Sequence, residues 1–398
     1  NVAEGVRENL RVLLVSGEPH AGERTWRNLL KSDAAVDLVH FTILRPPQKQ
    51  DGTPIQQLSL IAFPTRELFS VKINEFDLII FDRYQHRGIL QLLYYDNIAR
   101  YVDQGGALLV AAGDDYAGPQ SVVRTPLFNA LPAMPTGQVL EEPFRPKLTE
   151  DGLRHPVTRG LDGSGVRPGV DPTWGRWFRQ VDVIPERGRT VMSGVNDRPL
   201  LVLDRKGKGR VALMTSDHAW LWARGFDGGG PHTDLLRRLS HWLMKEPDLE
   251  EERLTAEATD LNIRIERRTM TDAVDPVRMI SPVGDDRQLQ LEEVREGLWA
   301  ATTTVSEPGL YKFETKAETG DLKAVTIAGI ADPREMSDVV ATKERAADLI
   351  DSVRGGQYWT RASTAASVTN VSVPRVTMLT GARAYSGQSW LGLKDQQA

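Results

Sequence analysis

Four short runs in this chain are apolar at nearly every position, and they limit the fold more than any other feature: LRVLLVS (10–16), FDLIIF (76–81), ALLVAA (107–112) and RVALMT (210–215). A strand with one solvated face alternates apolar and polar residues, so a run without alternation is buried on both faces. VDLVHFTIL (36–44) is a further strand pattern. Helical spacing lies between the runs, at 24–30 and at 88–103, where Ile89, Leu92, Leu93, Ile98 and Val102 share a face. Gly105-Gly106 closes that second helix. Strands alternating with helices predict a parallel sheet covered on both sides. The expected fold is therefore a flavodoxin-like, doubly wound α/β domain. Ligands of such sheets bind beyond the carboxyl ends of the strands. The tips to inspect are Gly17-Glu18-Pro19-His20, Asp82-Arg83-Tyr84, Gly113-Asp114-Asp115-Tyr116 and Ser216-Asp217-His218.

The rest of the chain is less regular. Residues 45–75 form a polar connection with one short helical patch at 65–69. Residues 117–208 are rich in Gly, Pro and Arg, with strand-like runs only at 190–193 and 200–203. Lys206-Gly207-Lys208-Gly209 predicts a hairpin turn. A helix follows at 232–245, and the run KEPDLEEE (245–252) marks a charged domain boundary. Beyond it LNIRIERR, QLQLEEV, LWAATTTV, GLYKFET and KAVTIAG are short strands between turns, the pattern of an antiparallel, immunoglobulin-like sandwich. The expected organisation is an α/β domain over 1–248, the sandwich over 249–332, and a helix (342–353) with an extended tail over 333–398. The tail carries isolated anchors at Trp359, Tyr385 and Trp390 and is expected to drape over other domains or to be partly disordered.

Composition narrows the function. With 398 residues the chain exceeds one ordinary core, so two or three domains are expected. The net charge of −5 argues against nucleic acid as a partner, because a phosphate-tracking surface must be basic. The absence of cysteine removes disulfides, thiolate catalysis and cysteine-ligated zinc, and leaves the compartment open. No run of 18 apolar residues is present. The first residue is Asn1, without a signal peptide, which reads as a piece of a longer protein.

The segments RVLLVSGEPHAGERTWRNLL, FDLIIFDRYQHRGIL, YVDQGGALLVAAGDDYAGP and GRVALMTSDHAWLWARGFDGGGPHTDLLRRLSHWLMKEPDLEEE resemble the class I glutamine amidotransferase-like superfamily. They are most similar to its branch found in bacterial membrane proteins. The resemblance covers the first 250 residues. It implies a flavodoxin-like core followed by an immunoglobulin-like domain. It also implies a membrane anchor through segments outside this chain, with the soluble part in the periplasm. In that superfamily a nucleophilic cysteine stands on the turn after a central strand, with a histidine at the end of a later one. The matching places here are Asp114-Asp115 and His218. An ionised carboxylate is a poor nucleophile toward an amide, so glutaminase activity is not expected.

Two readings of the tips compete. In the first, the chain binds an unidentified ligand or an envelope protein partner without catalysis. In the second, a hydrolase or transferase reuses the pocket, with His218 as base and Asp114 or Asp115 as acid or metal ligand. Asp217 and His218 are adjacent on a strand end and point apart, so Asp217 is not expected to orient the ring. Arg83, Tyr84, His86, Asp217, Trp220 and Glu18 are the ligand-binding candidates, with Arg83 as a fork for an anion. The plainer readings are a capping acid, a packed histidine, a solvated helix start and loop-anchoring aromatics. No cofactor is expected. No metal is expected either, since no histidines show helical i, i+4 spacing.

Overall fold

A computed structural model describes residues 9–17, 19–42, 64–165, 171–317, 320–329, 347–348, 352, 375–379, 386–387 and 390–394. The chain divides into two compact units, Asn1–Gly329 and Ile330–Ala398.

In the first unit β1 (Leu10–Ser16), α1 (Glu23–Ser32), β2 (Val36–Thr42), β3 (Leu78–Asp82), α2 (Leu92–Gln104) and β4 (Ala107–Ala111) come in that order. The segment after β4 supplies β5 (Ala133–Leu140), β6 (Lys147–Leu148), α3 (Glu150–Arg154), β7 (Gln180–Pro185), β8 (Arg189–Ser193) and β9 (Pro199–Lys206). Then come β10 (Gly209–Met214), α4 (Ala219–Ala223) and α5 (His232–Leu243).

Eight strands form one sheet in the order β2-β1-β3-β4-β10-β9-β8-β6. The first five run parallel, whereas β9, β8 and β6 each pair antiparallel. β5 and β7 pair separately as a two-stranded ribbon. Successive residues of the central strands serve opposite faces. Val12 and Leu14 pack with Trp26 of α1 and with Leu235 and Leu239 of α5, while Leu13 and Val15 pack with Tyr95 and Ile98 of α2.

Strands β11 (Arg253–Thr259), β12 (Asn262–Arg268), β13 (Val277–Ile280), β14 (Asp286–Leu289), β15 (Glu292–Arg295), β16 (Leu298–Thr304), β17 (Gly309–Ala317) and β18 (Gly320–Ala328) form two more sheets. Their orders are β11-β12-β16-β15 and β14-β13-β17-β18. Ile263 and Ile265 of one meet Met279 and Phe313 of the other in a single apolar core.

The flavodoxin-like class expected from the sequence is therefore corrected. The described structure is strand-dominated and built from several sheets, and its largest sheet is mixed. The cause lies in 117–208, where the sequence shows only two strand-like runs and the chain forms five strands. The turn at Lys206-Gly207-Lys208-Gly209, with Gly207 at φ +58°, folds β9 back along β10 and starts the antiparallel half.

Residues 245–252 pin the sandwich to the α/β layer. Glu250 and Glu251 accept from Arg205, and Glu250 also accepts from Arg210. Glu252 accepts from Arg267 and Thr269 on the sandwich side. A run with the composition of a solvated linker is thus an ionic latch.

The second unit contains a three-stranded sheet of β19 (Arg375–Leu379), β20 (Ser386–Gly387) and β21 (Trp390–Lys394), ordered β19-β21-β20. The tail anchors Trp359 and Tyr385, and most of the helix expected at 342–353, lie outside the described residues. No helix among the described residues is long and apolar enough to cross a membrane.

Candidate functional site at the strand tips

The carboxyl ends of β1, β3, β4 and β10 deliver an ion network centred on Arg83. This residue follows β3 in the left-handed region at φ +47°, an unfavourable conformation for a side chain with a Cβ. Its N–H donates to the Ala111 carbonyl at 2.9 Å, which holds the turn against the end of β4. Two glycines make room for it. A Cβ on Gly17 would lie 2.0 Å from the Arg83 carbonyl oxygen, and one on Gly113 would lie 2.6 Å from Arg83 Nε. Because the first obstacle is backbone, Gly17→Ala is expected to destabilise the chain by about 1–3 kcal/mol, read as a lowered urea midpoint.

Three carboxylates converge on the Arg83 guanidinium. Nη2 lies 2.6 Å from Asp114 Oδ1 and 3.5 Å from Asp115 Oδ1, and Nη1 lies 3.5 Å from Asp217 Oδ2. Gln85 Nε2 donates to Asp115 Oδ1 at 2.7 Å. Arg179, from the segment leading into β7, donates to both oxygens of Asp217 at 2.9 Å. Burial pushes the Asp115 carboxyl above the ordinary range, against the hydrogen bond from Gln85 and the charge of Arg83.

A second chain of contacts runs beside the first. Asp82, at the end of β3, is fully buried and accepts from His20 Nε2 at 2.7 Å and from Ser16 Oγ at 3.3 Å. His20 Nδ1 accepts from the Gly22 N–H at 3.1 Å, which places the ring hydrogen on Nε2. Burial raises the Asp82 carboxyl, with nearby Asp217 adding to the shift and the His20 hydrogen bond opposing it. Asp82 Oδ1 and Asp115 Oδ2 are buried acceptors without a partner.

His218 does not form the arrangement that a general base needs. Its Nδ1 accepts from the Phe178 N–H at 3.2 Å, and its Nε2 lies 3.9 Å from Asp217 Oδ1, beyond a hydrogen bond. Burial holds the ring below the ordinary histidine value. The neighbouring hydroxyl, Ser216 Oγ, donates to the Arg179 carbonyl at 2.6 Å and accepts from the His218 N–H. Trp220 meets the His218 ring edge-on and lies under Arg224.

The sequence candidates thus separate. Arg83, Asp114, Asp115 and Asp217 form one network, with His218 and Trp220 at its side. Arg83 is already paired with carboxylates, which corrects its expected role as a fork for an anion. Tyr84 and His86 turn toward α2 instead of the tips. Tyr84 is buried and stacked on Phe81, and Tyr95 donates to its hydroxyl and contacts His86 Nδ1. Glu18 lies outside the described residues. Arg179, His20, Asp82 and Gln85 belong to the site and were not among the candidates. The signals that could have found them are the tip positions of His20 and Asp82 and the glycines flanking Arg83. Nothing in FRQ (178–180) marks Arg179. No group of three or more histidine or acidic side chains among the described residues is arranged to hold a metal ion.

No family model matches the chain, and no curated protein matches it. Among solved structures it is similar to two cytoplasmic proteins of Salmonella typhimurium, at 14% and 19% identity, each with a TM-score of 0.41. Both alignments cover 59% of this chain and 99% of the other. A cold-adapted β-galactosidase from Rahnella sp. R3 aligns at 13% identity and a TM-score of 0.35, over 75% of this chain and 41% of that one.

Proposed function

We propose that this chain is a binding region without catalytic chemistry at its strand tips, part of a bacterial envelope protein. The glutamine amidotransferase-like resemblance is read as ancestry, with a membrane anchor outside this chain and the soluble part in the periplasm. The observation that carries the reading is the state of the turn where the resembled family has its thiol. Asp114 and Asp115 stand there, tied to Arg83 and Gln85, and both ring nitrogens of His218 lack an acid or hydroxyl partner. What the network offers a ligand is acceptor capacity, from Asp82 Oδ1 and Asp115 Oδ2 in a setting of four carboxylates and two guanidiniums. A ligand or partner that donates hydrogen bonds fits this better than an anion.

At the strand tips the His20–Asp82 contact has the look of an acid–base dyad. Its open nitrogen is taken by the Gly22 N–H, and Ser16 beside it is fully buried.

The test is a hydrolysis screen on glutamine, on p-nitrophenyl esters and on p-nitroanilide amides, run with the whole chain and with His218→Ala. The expected result is no turnover above buffer for either protein. Turnover that falls about 100-fold or more in His218→Ala would establish a working general base and overturn the reading.

A further inference from the structure

At the junction of the α/β layer and the sandwich, a Cβ on Gly297, in the turn between β15 and β16, would lie 3.3 Å from Arg154 Cβ at the end of α3, and around this contact lie five arginines. Arg159 lies in the turn after α3, and its carbonyl accepts from Arg238 Nη1 of α5 at 2.8 Å. On the sandwich side the strand register sets the other three. Arg253 of β11 pairs with Arg268 of β12, Arg268 pairs with Leu298 of β16, and Leu298 pairs with Arg295 of β15. These four residues form one row across the sheet, so their side chains share a face. That is the face opposite Ile263 and Ile265, which point into the sandwich core. Leu298 is buried in the middle of the row, Arg253 and Arg268 are half-buried, and Arg295 is exposed.

Three of the acids at the junction are committed elsewhere, while Glu293 and Glu296 act on Arg154 and form no ion pair with the five arginines. Glu250 serves Arg205 and Arg210, Glu252 serves Arg267, and Asp272 serves Arg154. Of the five arginines only Arg253 has a carboxylate partner, Asp248. Arg159, Arg238, Arg268 and Arg295 have none among the described residues. Five guanidiniums gathered with one paired carboxylate among them repel one another, in a chain whose net charge is −5. Burial, together with Arg268, Arg295, Arg238 and Arg253, pushes the Arg159 pKa down to about 10.

We propose that this junction is a binding site for a compact, multiply charged oxyanion of the phosphate class, held by Arg159, Arg238, Arg253, Arg268 and Arg295. Planar guanidinium forks match phosphoryl oxygens two at a time, and several of them require a ligand with more than one charge. The cluster is a single spot where two layers meet, without the extended basic stripe that tracks a nucleic acid. It is separate from the strand-tip network and uses none of its residues.

The experiment is titration calorimetry of the whole chain with sodium pyrophosphate, beside melting curves in pyrophosphate and in sodium chloride of equal ionic strength. Binding is expected, with Tm raised by pyrophosphate and not by chloride. Arg268→Gln and Arg295→Gln remove guanidiniums that have no carboxylate partner, so both variants are expected to fold, and each should weaken pyrophosphate by about tenfold or more. The control is Arg264→Gln, which changes net charge equally but lies on β12 beside Glu266, away from the row. It should leave affinity unchanged. Equal weakening by Arg264→Gln would mean general charge attraction and would overturn the site. So would absence of pyrophosphate binding. Co-flotation with phosphatidylglycerol vesicles that pyrophosphate does not displace would place the anion in a lipid surface instead, and would overturn it as well.

Discussion

Arg83→Met is expected to remove about 3 kcal/mol of stability, the lower end of the range for stripping one partner from a buried ion pair. Methionine keeps an apolar stem and the left-handed backbone strain at position 83, so the loss reports the guanidinium. Asp115 and Asp217 are nearly buried, at 5% and 4% side-chain exposure, and would be left with fewer counter-charges. The loss stays at the low end because Asp217 keeps Arg179 and Asp115 keeps Gln85. Asp114 is half-exposed and returns to water. The pH dependence gives an independent check. The Asp115 carboxyl is raised by burial, and Arg83 is one of the groups opposing that shift. Without Arg83 the folded state binds the Asp115 proton more tightly still, so acid favours the folded variant relative to wild type. The stability gap in urea should therefore be widest near neutral pH and narrow as pH falls toward the ordinary carboxylate value of 3.8. Adding Asp115→Asn should recover part of the loss. A gap that is flat in pH and insensitive to Asp115→Asn would mean the arginine acts through packing of its stem alone.

The buried central strands were legible because burial on both faces leaves a plain apolar run, as in Leu78 to Phe81 and Ala107 to Ala111. Their tips were legible for the same reason, and Asp114, Asp115 and Asp217 do meet there. The antiparallel half of the large sheet was not legible. β6 has two residues, and β5 and β8 mix apolar with polar and glycine positions, so no period emerges over 117–208. Strand and helix alternate over the first 115 residues, the pattern of a flavodoxin-like domain, and the antiparallel strands that follow break it. At the site, charge sign was visible and pairing was not. Arg83 has the composition of an anion receptor, but three carboxylates from two other strand tips reach it first. Tyr84 and His86 follow it by one and three residues, yet the turn at φ +47° sends their side chains to the α2 face. The arginine row at Arg253, Arg268 and Arg295 could not be seen at all without strand register, since its members are 15 and 27 residues apart in sequence.

Glu251→Gln should be as damaging as Arg83→Met, with a loss of about 3 kcal/mol by the same mechanism. The carboxylate accepts from Arg205 and from Trp242 Nε1 at 3.1 Å, and His155 Nε2 lies 3.4 Å away. Glutamine preserves the shape and removes the charge, leaving Arg205 with Glu250 as its remaining counter-charge. Burial alone would raise the Glu251 carboxyl, but hydrogen bonds from His155 and Arg205 hold it well below its ordinary 4.5. A depressed folded value means that its stabilisation is present above pH 4.5 and is lost as pH falls below it. His155 is held below 6.5 by burial, so its contribution is likewise present above that pH and is lost as pH falls below it. Wild-type stability in urea should therefore decline in two steps, one starting below pH 6.5 and one below pH 4.5. Glu251→Gln should keep a step below 6.5 and show a smaller one below 4.5, because Glu251 no longer titrates while other lowered carboxyls such as Asp33 still do. Since Glu250, Glu251 and Glu252 are consecutive and face both layers, the variant should also become sensitive to limited proteolysis within 245–253. Acid steps unchanged from wild type, or an uncut junction at matched stability, would show that apolar contacts hold the layers together and that the glutamates only decorate the seam.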